Sequence, residues 1–158
     1  MEYYNKVIES VHVRFLKASN YKIDKPIAVQ DYQEQDNALI LLHHGTLKFG
    51  DDQEVVNEGE VIFLPKGQKK LITFGSGTKR LEISSENFSE NRRKYLQSIS
   101  FKDIKATDDD CISIINFESK VFDVVNFFNS LDIPPFIIRF NDRIAILMED
   151  IMKETEIS

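Results

Sequence analysis

Residues 59–70 read GEVIFLPKGQKK, and this stretch carries the clearest indication of the fold. Gly59 suits a turn, and Val61 to Leu64 form a short apolar run of the kind found in buried strands. Pro65 and Gly67 then make a corner before a second strand. Upstream, Ala38 to His44 predicts another strand, which a glycine closes. Short strands joined by tight turns are therefore expected here.

The same pattern extends from about residue 10 to residue 85. Val11 to Leu16 begins with polar and apolar residues in alternation, and turn residues recur at Gly50-Asp51-Asp52, Asn57-Glu58-Gly59 and Gly75-Ser76-Gly77. Strands that recur about every ten residues with turn signals between them are typical of a β-sandwich or a β-barrel. The sequence therefore predicts a mainly β domain.

The pattern changes in the second half of the chain. Ser84 to Gln97 is polar and predicts a short helix with connections. Two apolar stripes with helical spacing follow, separated by a break at Asp132 to Pro135. The short break predicts an antiparallel αα-hairpin. The stripes are Phe117, Val121, Val124, Val125, Phe128 and Leu131, and then Ile137, Phe140, Ile144, Leu147, Met148 and Ile151.

Composition limits the classes of function. The 158 residues, 42% hydrophobic and 29% charged, suit one globular domain, expected to span 1–158. The formal net charge of −6 disfavours nucleic-acid binding, and the short cluster Arg92-Arg93-Lys94 is interpreted as a solvated face. No apolar run approaches the roughly 20 residues of a membrane helix. With no signal-peptide pattern and a single cysteine, Cys111, expected to pack in a strand, we expect a cytoplasmic protein.

The strand and corner residues resemble the second motif of the cupin superfamily. Gly59, Pro65 and Gly67 match its spacing, and Lys70 stands where that motif places a metal-binding histidine. The resemblance implies a cupin-type barrel (a double-stranded β-helix, or jelly roll) over about 10–85. A connecting segment of about 86–116 and a helical hairpin of about 117–155 would follow.

The resemblance also bears on metal binding. In metal-dependent cupins the first motif supplies two histidines and a glutamate, but here the glutamate position is Ala38 and residues 31–36 hold no histidine. With Lys70 in the second motif, none of the four ligands is present, and a lysine is cationic near neutral pH. We therefore expect no metal, no cofactor and no catalytic residue.

A barrel followed by a helical hairpin resembles the N-terminal effector-binding and dimerisation domain of AraC-type transcription regulators, without their helix-turn-helix units. This implies a small-molecule effector, a homodimer through the C-terminal helices, no enzyme activity and no direct contact with nucleic acid or membrane. The chain would be a sensor domain of a longer regulator or a stand-alone relative. Two alternatives stay open: a metal-independent cupin enzyme of the isomerase or epimerase kind, and an assembly module. The interface residues expected are Ile138, Ile144 and Met148.

The expected ligand site lies inside the barrel and suits a small ligand with an anionic or carbonyl group. Lys70 either extends to the rim or pairs with an acid, of which Glu82 is the nearest, or with an anionic ligand. His43 and His44 point to opposite faces of a strand, so the two cannot easily bind one ion. If Ala38 faces inward, His44 does too, either as a strand-end residue or as a pocket donor. The predicted ligand-binding residues are Lys70, His44, Arg14, Ile40, Leu42 and Phe63.

Overall fold

A computed structural model describes residues 11–77, 79–121, 125–126, 135–139 and 142–157. Within them the chain forms twelve strands and four helices. The strands are β1 Val11–Ile23, β2 Ile27–Tyr32, β3 Asn37–His44, β4 Leu47–Phe49, β5 Glu54–Val56, β6 Val61–Leu64, β7 Lys70–Phe74, β8 Leu81–Ser84, β9 Leu96–Ser98, β10 Cys111–Val121, β11 Val125–Asn126 and β12 Phe136–Ile138. The helices are α1 Ser85–Glu90, α2 Arg92–Tyr95, α3 Phe101–Ala106 and α4 Asp142–Ile157.

The described strands form two sheets. Sheet A has the order β12-β6-β3-β10-β1-β9, and β11 also pairs with β10; sheet B has the order β5-β4-β7-β2-β8. The pairing of β2 with β8 is parallel, and the other pairings are antiparallel. The mainly β prediction is confirmed. Two such sheets are compatible with a barrel or a sandwich, and the cupin-type barrel stays a prediction.

The inner face of sheet A packs against sheet B through aliphatic and aromatic side chains. Ile40 of β3 lies opposite Ile62 of β6 on one side and opposite Ile114 of β10 on the other, and all three are at most 1% exposed. Because side chains alternate along a strand, Ala38 and Leu42 share this inner face, and both belong to the same buried cluster. The inward set expected from the sequence is therefore confirmed.

The outer face of sheet A forms a second core with α3 and α4. Leu41 and Ile115 alternate with the inner residues and contact Phe101 of α3 and Met148 and Met152 of α4. Sheet A is thus buried on both faces, which explains why β3 and β10 read as nearly continuous apolar runs. None of the helices in the described ranges is long and apolar enough to cross a membrane.

The first of the two predicted helices is wrong where the structure describes it. Phe117 to Val121 continue strand β10, and Val125–Asn126 is strand β11. The Cys111–Ile115 run leads this strand, which pairs with β1 on one side and β3 on the other. Residues four positions apart, such as Phe117 and Val121, lie on one face of a strand as well as on one face of a helix, so their spacing alone does not distinguish the two. Residues 127–134 lie outside the described part, and the αα-hairpin is not confirmed.

The segment of about 86–116, predicted to connect the barrel to the helices, contributes strands to sheet A. It holds β9 and the first half of β10, and β10 lies in the middle of sheet A between β1 and β3. The short helical segment expected near Ser84 to Gln97 is confirmed as α1 and α2, with Phe88, Tyr95 and Leu96 buried. The physical reason for the difference is the fully buried run at the start of β10, which needs sheet partners on both edges.

The second predicted helix is formed in part. α4 covers Asp142–Ile157, whereas Phe136–Ile138 pairs with β6 as an edge strand of sheet A. Met148 is only 1% exposed in the outer core, and Ile138 and Ile144 are partly buried against that core. Met148 is therefore occupied by packing within the chain, Ile138 and Ile144 are only partly so, and the assignment of these three residues to a dimer interface stays a prediction. α4 instead leaves Ile146 and Leu147 exposed.

Gly45 offers a test of the packing at the end of β3. It adopts φ +98°, and a Cβ there would overlap the carboxylate of Asp110, which accepts a hydrogen bond from the Ser76 amide at 2.5 Å. We expect Gly45→Ala to reduce the free energy of unfolding by about 2 kcal/mol, because a strained backbone adds to the overlap. Gly50→Ala is the control: Gly50 has φ +85° and open space around its Cβ position, so the loss should be about 1 kcal/mol. Urea unfolding measures both, and equal losses would mean that Asp110 moves aside freely.

Candidate functional site

The predicted ligand site inside the barrel is not assembled as expected. Ile40 and Leu42 are fully buried in the core between the sheets, where they contact other aliphatic side chains. Phe63 lies on the opposite face of sheet A, because it alternates with the inward residues Ile62 and Leu64. Its ring stands 6.1 Å from that of Phe117, centroid to centroid. The apolar half of the predicted pocket is thus divided between two faces.

The polar half is dispersed as well. Lys70 begins β7 opposite Tyr32 and is half-buried, and in the described residues no ion pair joins it to Glu82, which is exposed on β8. His44 ends β3, half-buried, opposite Cys111. Arg14 lies in β1 opposite Glu118, and its side chain is outside the described ones. Whether any of them binds a ligand stays a prediction.

His43 belongs to a buried polar chain beneath α3 and α4. Ser113 Oγ donates to Asn20 Oδ1 at 2.6 Å, so the 2.6 Å contact between His43 Nε2 and Ser113 Oγ is donated by the imidazole. Burial lowers the pKa of His43 to about 4; Glu149 opposes this shift, and Lys105 and His44 add to it. Ser113 is fully buried and its proton points away from His43, so this pair is not arranged as a nucleophile and its base.

Cys111 is buried at the start of β10, as the sequence predicted. Burial raises the pKa of its thiol to about 11, so the reactive thiolate is scarce near neutral pH. Across the described ranges, no three His, Cys, Asp or Glu side chains cluster closely enough to hold a metal ion. The absence of metal and cofactor stays a prediction for the whole chain.

A cavity lies beside β1, on the side of the strand that carries Tyr21. It has a volume of about 790 Å³ and is bordered by β1, β9 and the segment Ser89–Lys94 of α1 and α2. Tyr21 belongs to the core between the sheets, and Ser19 and Lys17 continue the same face by alternation. We call this cavity the cationic groove, because its charged lining residues are Lys17, Arg92, Arg93 and Lys94 against the single acid Glu90.

The helices that border the groove are held by aromatic packing. Ser84 caps α1 by accepting a hydrogen bond from the Asn87 amide at 3.1 Å. Phe88 packs its ring 5.6 Å from Tyr32, and Tyr95 of α2 stacks at 6.3 Å from Phe88. Since Phe88 and Tyr95 both point into the core, the residues between them are left at the surface of the groove.

Arg92 connects the groove to the core. Its Nη2 lies 3.3 Å from Glu34 Oε1, and the same oxygen accepts a 2.6 Å hydrogen bond from the Tyr32 hydroxyl. The guanidinium lies over the rings of Tyr21 and Phe88, at 5.3 and 5.5 Å from their centroids. Burial, and then the charge of Glu34, raise the pKa of Tyr32, so its hydroxyl stays a donor. The Nε–H of Arg92 is buried and has no hydrogen-bond partner among the described residues.

Sequence reasoning missed this groove. The Arg92-Arg93-Lys94 cluster was visible but was interpreted as a solvated face, and Lys17 lies far away in the sequence. The signal that could have drawn attention to it was the pair of aromatic residues, Phe88 and Tyr95, that flank the basic cluster and anchor it. Its proximity to β1 depends on the pairing of β1 with β9, which no local pattern indicates.

Comparison with known proteins does not assign this chain to a family. No protein-family model matches the chain, and no curated protein is significantly similar to it. A similar solved structure is that of the apo ToxT K231A variant from Vibrio cholerae. It is 9% identical, covers 91% of this chain and has a TM-score of 0.45; the match spans 46% of the ToxT chain. At this TM-score and identity, the similarity assigns neither a fold family nor a function.

Proposed function

We propose that this chain is the ligand-sensing and dimerisation domain of a transcription regulator of the AraC type. The cupin-like spacing of Gly59, Pro65 and Gly67 and the β domain with a C-terminal helix support this class. The observation that carries the proposal is the exposed face of α4, which is complementary to itself. A cytoplasmic location, a small-molecule effector and the lack of direct contact with nucleic acid belong to the same proposal.

The exposed face of α4 consists of an apolar pair between two opposite charges. Ile146 and Leu147 are 57% and 55% exposed, and Arg143 and Asp150, also exposed, lie symmetrically on either side of them. When two copies of this helix pack antiparallel about a two-fold axis, the apolar pairs meet and each Arg143 faces the Asp150 of the other copy. A two-fold contact requires such a self-complementary surface.

The alternative of a metal-independent cupin enzyme lacks comparable support. The buried Ser113 next to His43 is not accessible, and burial keeps Cys111 in the thiol form. A further alternative is an assembly module without a ligand, which would use the same α4 surface. Ligand binding distinguishes the two, and the cationic groove provides a place to look for it.

Charge exchange on α4 tests the dimer. We expect Arg143→Glu and Asp150→Lys to weaken self-association at least about tenfold each, and the double variant to recover it, because the exchanged charges pair again across the two-fold axis. The two residues lie seven positions apart, roughly 10 Å along the helix, which is too far for direct pairing within one helix. Recovery in the double variant therefore reports a contact between two copies. Sedimentation velocity over a concentration series measures the association.

Replacement of exposed apolar residues by aspartate provides a second test of the dimer. Leu147→Asp should give monomers with unchanged circular dichroism, since its side chain is already exposed in the single chain. Val55→Asp is the matched control, because Val55 is 47% exposed on β5, and it should leave association unchanged. A monomeric unmodified protein, or a Leu147→Asp variant that still associates, contradicts the proposed interface.

A further inference from the structure

We propose that the cationic groove is a binding site for a small organic polyanion that carries phosphate or several carboxylate groups. This inference deepens the ligand-sensing part of the proposed function and moves the site from the core between the sheets to its open margin. It does not depend on dimerisation through α4.

The first argument is the local charge. Four cations and one anion line the groove, in a chain whose formal net charge is −6, and Glu34 behind the lining pairs with one of the cations, Arg92. The cations come from two separate elements, Lys17 from β1 and Arg92, Arg93 and Lys94 from α2, so the fold and not a single basic run gathers them. Like charges held together in a concave surface repel each other, and a multivalent anion removes that repulsion.

The second argument is the state of Arg92. Its guanidinium is fixed by Glu34 and by the rings of Tyr21 and Phe88, so it is already oriented before a ligand arrives. Its Nε–H is buried without a hydrogen-bond partner among the described residues, although buried donors are nearly always paired. Because the Nε atom itself has almost no exposed surface, a ligand in the groove would contact the part of the Arg92 side chain that remains exposed, which amounts to 28%. Guanidinium groups bind phosphate and carboxylate oxygens well because their donors match the spacing of those oxygens.

The third argument is the size and polarity of the lining. A volume of about 790 Å³ lies within the range of pockets for small organic ligands. Beyond the charged residues, the lining is mostly hydroxyl and amide groups, such as Ser19, Asn91 and Gln97, and not aliphatic chains. These groups can hydrogen-bond a polar ligand, while Tyr21 and Leu96 supply apolar surface beside them. The negative net charge of the chain disfavours a nucleic-acid strand, whose phosphates would extend beyond the groove.

Nuclear magnetic resonance titration of the whole chain tests the inference with two probes, pyrophosphate and citrate. Pyrophosphate represents phosphate ligands and citrate represents polycarboxylates, so the stronger binder identifies the ligand chemistry. We expect saturable shifts of amide signals confined to residues 17–21 and 89–98, weakened by added salt. Saturation by neither probe, or shifts centred elsewhere, overturns the proposal. Tighter binding of a single-stranded oligonucleotide than of both probes also overturns it.

Variants of exposed residues locate the site. Lys17→Glu combined with Arg93→Glu should weaken the binding of the better probe about tenfold or more, because each substitution removes a charged partner and adds a repulsive one. Lys66→Glu combined with Lys102→Glu is the control, since both lysines are exposed outside the groove and the net charge changes equally. Equal weakening in both variants would mean that general charge attracts the anion, which contradicts a site. The self-association of the same variants, measured by sedimentation, should be unchanged. A result against the anion site can therefore be distinguished from a result against the dimer.

Discussion

Arg92→Met is expected to reduce the free energy of unfolding by about 3 kcal/mol, because it leaves the Glu34 carboxylate without its cation in a nearly dry environment. The Glu34 side chain is 10% exposed, and its Oε1 accepts from both Arg92 and the Tyr32 hydroxyl. Methionine also removes the guanidinium from above the rings of Tyr21 and Phe88, so the loss of these cation–π contacts adds a smaller amount to the cost. Urea unfolding followed by circular dichroism gives the loss.

A second substitution separates charge from packing in this network. Glu34→Gln in the Arg92→Met background should recover most of the loss, because a neutral amide still accepts from Tyr32 and no longer needs a cation. Lys105→Met is the control: Lys105 and Glu149 form a 3.1 Å pair with the lysine side chain 53% exposed, and its removal should cost at most about 1 kcal/mol. If the double variant is no more stable than Arg92→Met, the buried charge is not the cause.

Acid is expected to destabilise the protein through His43. Its pKa is lowered from 6.5 to about 4 by burial, so the unfolded chain binds a proton that the folded chain does not. The contribution of neutral His43 to the free energy of unfolding is therefore fully present above pH 6.5, and it is lost as the pH falls toward 4. The loss at pH 4 is about 3 kcal/mol. The charges of Glu149, Lys105 and His44 also shift the pKa of His43. They therefore contribute to the size of this loss.

The His43→Gln variant isolates this contribution. A glutamine amide can still donate to Ser113 Oγ but does not titrate, so the loss of stability between pH 7 and pH 4 should be smaller by about 3 kcal/mol than in the unmodified protein. His44→Gln is the control and should retain most of the loss that His43 causes, because burial is the largest cause of the lowered His43 pKa and His44 the smallest. Urea unfolding at several pH values measures both variants, and an unchanged pH dependence in His43→Gln contradicts the buried neutral imidazole.

The sequence indicated the strands that lie between clear turn residues. Val61–Leu64 is β6 as expected, and the alternation along β3 correctly placed Ala38, Ile40 and Leu42 on the inner face. These features depend on local spacing. The central strand β10 was not recognised in full, because Phe117 and Val121 are four positions apart, a spacing that places two residues on one face of a strand as well as on one face of a helix.

The site was harder to predict than the fold. The cupin-like spacing directed attention to Lys70 and to the space between the sheets, but aliphatic side chains fill that space around Ile40. The groove depends on residues from β1 and α2, and these come together through the pairing of β1 with β9. Such a long-range pairing leaves no mark in a local pattern. The buried pairing of Glu34 with Arg92 is equally long-range.

The pairing of β1 with β10 also has a consequence during synthesis of the chain. The paired residues are roughly 90 to 110 positions apart, which corresponds to roughly 5 to 20 seconds of translation. Until β10 leaves the ribosome, β1 and β3 each lack the neighbour that later lies between them. A nascent chain that stops before Cys111 therefore carries open strand edges, which are the surfaces through which unfinished β proteins aggregate.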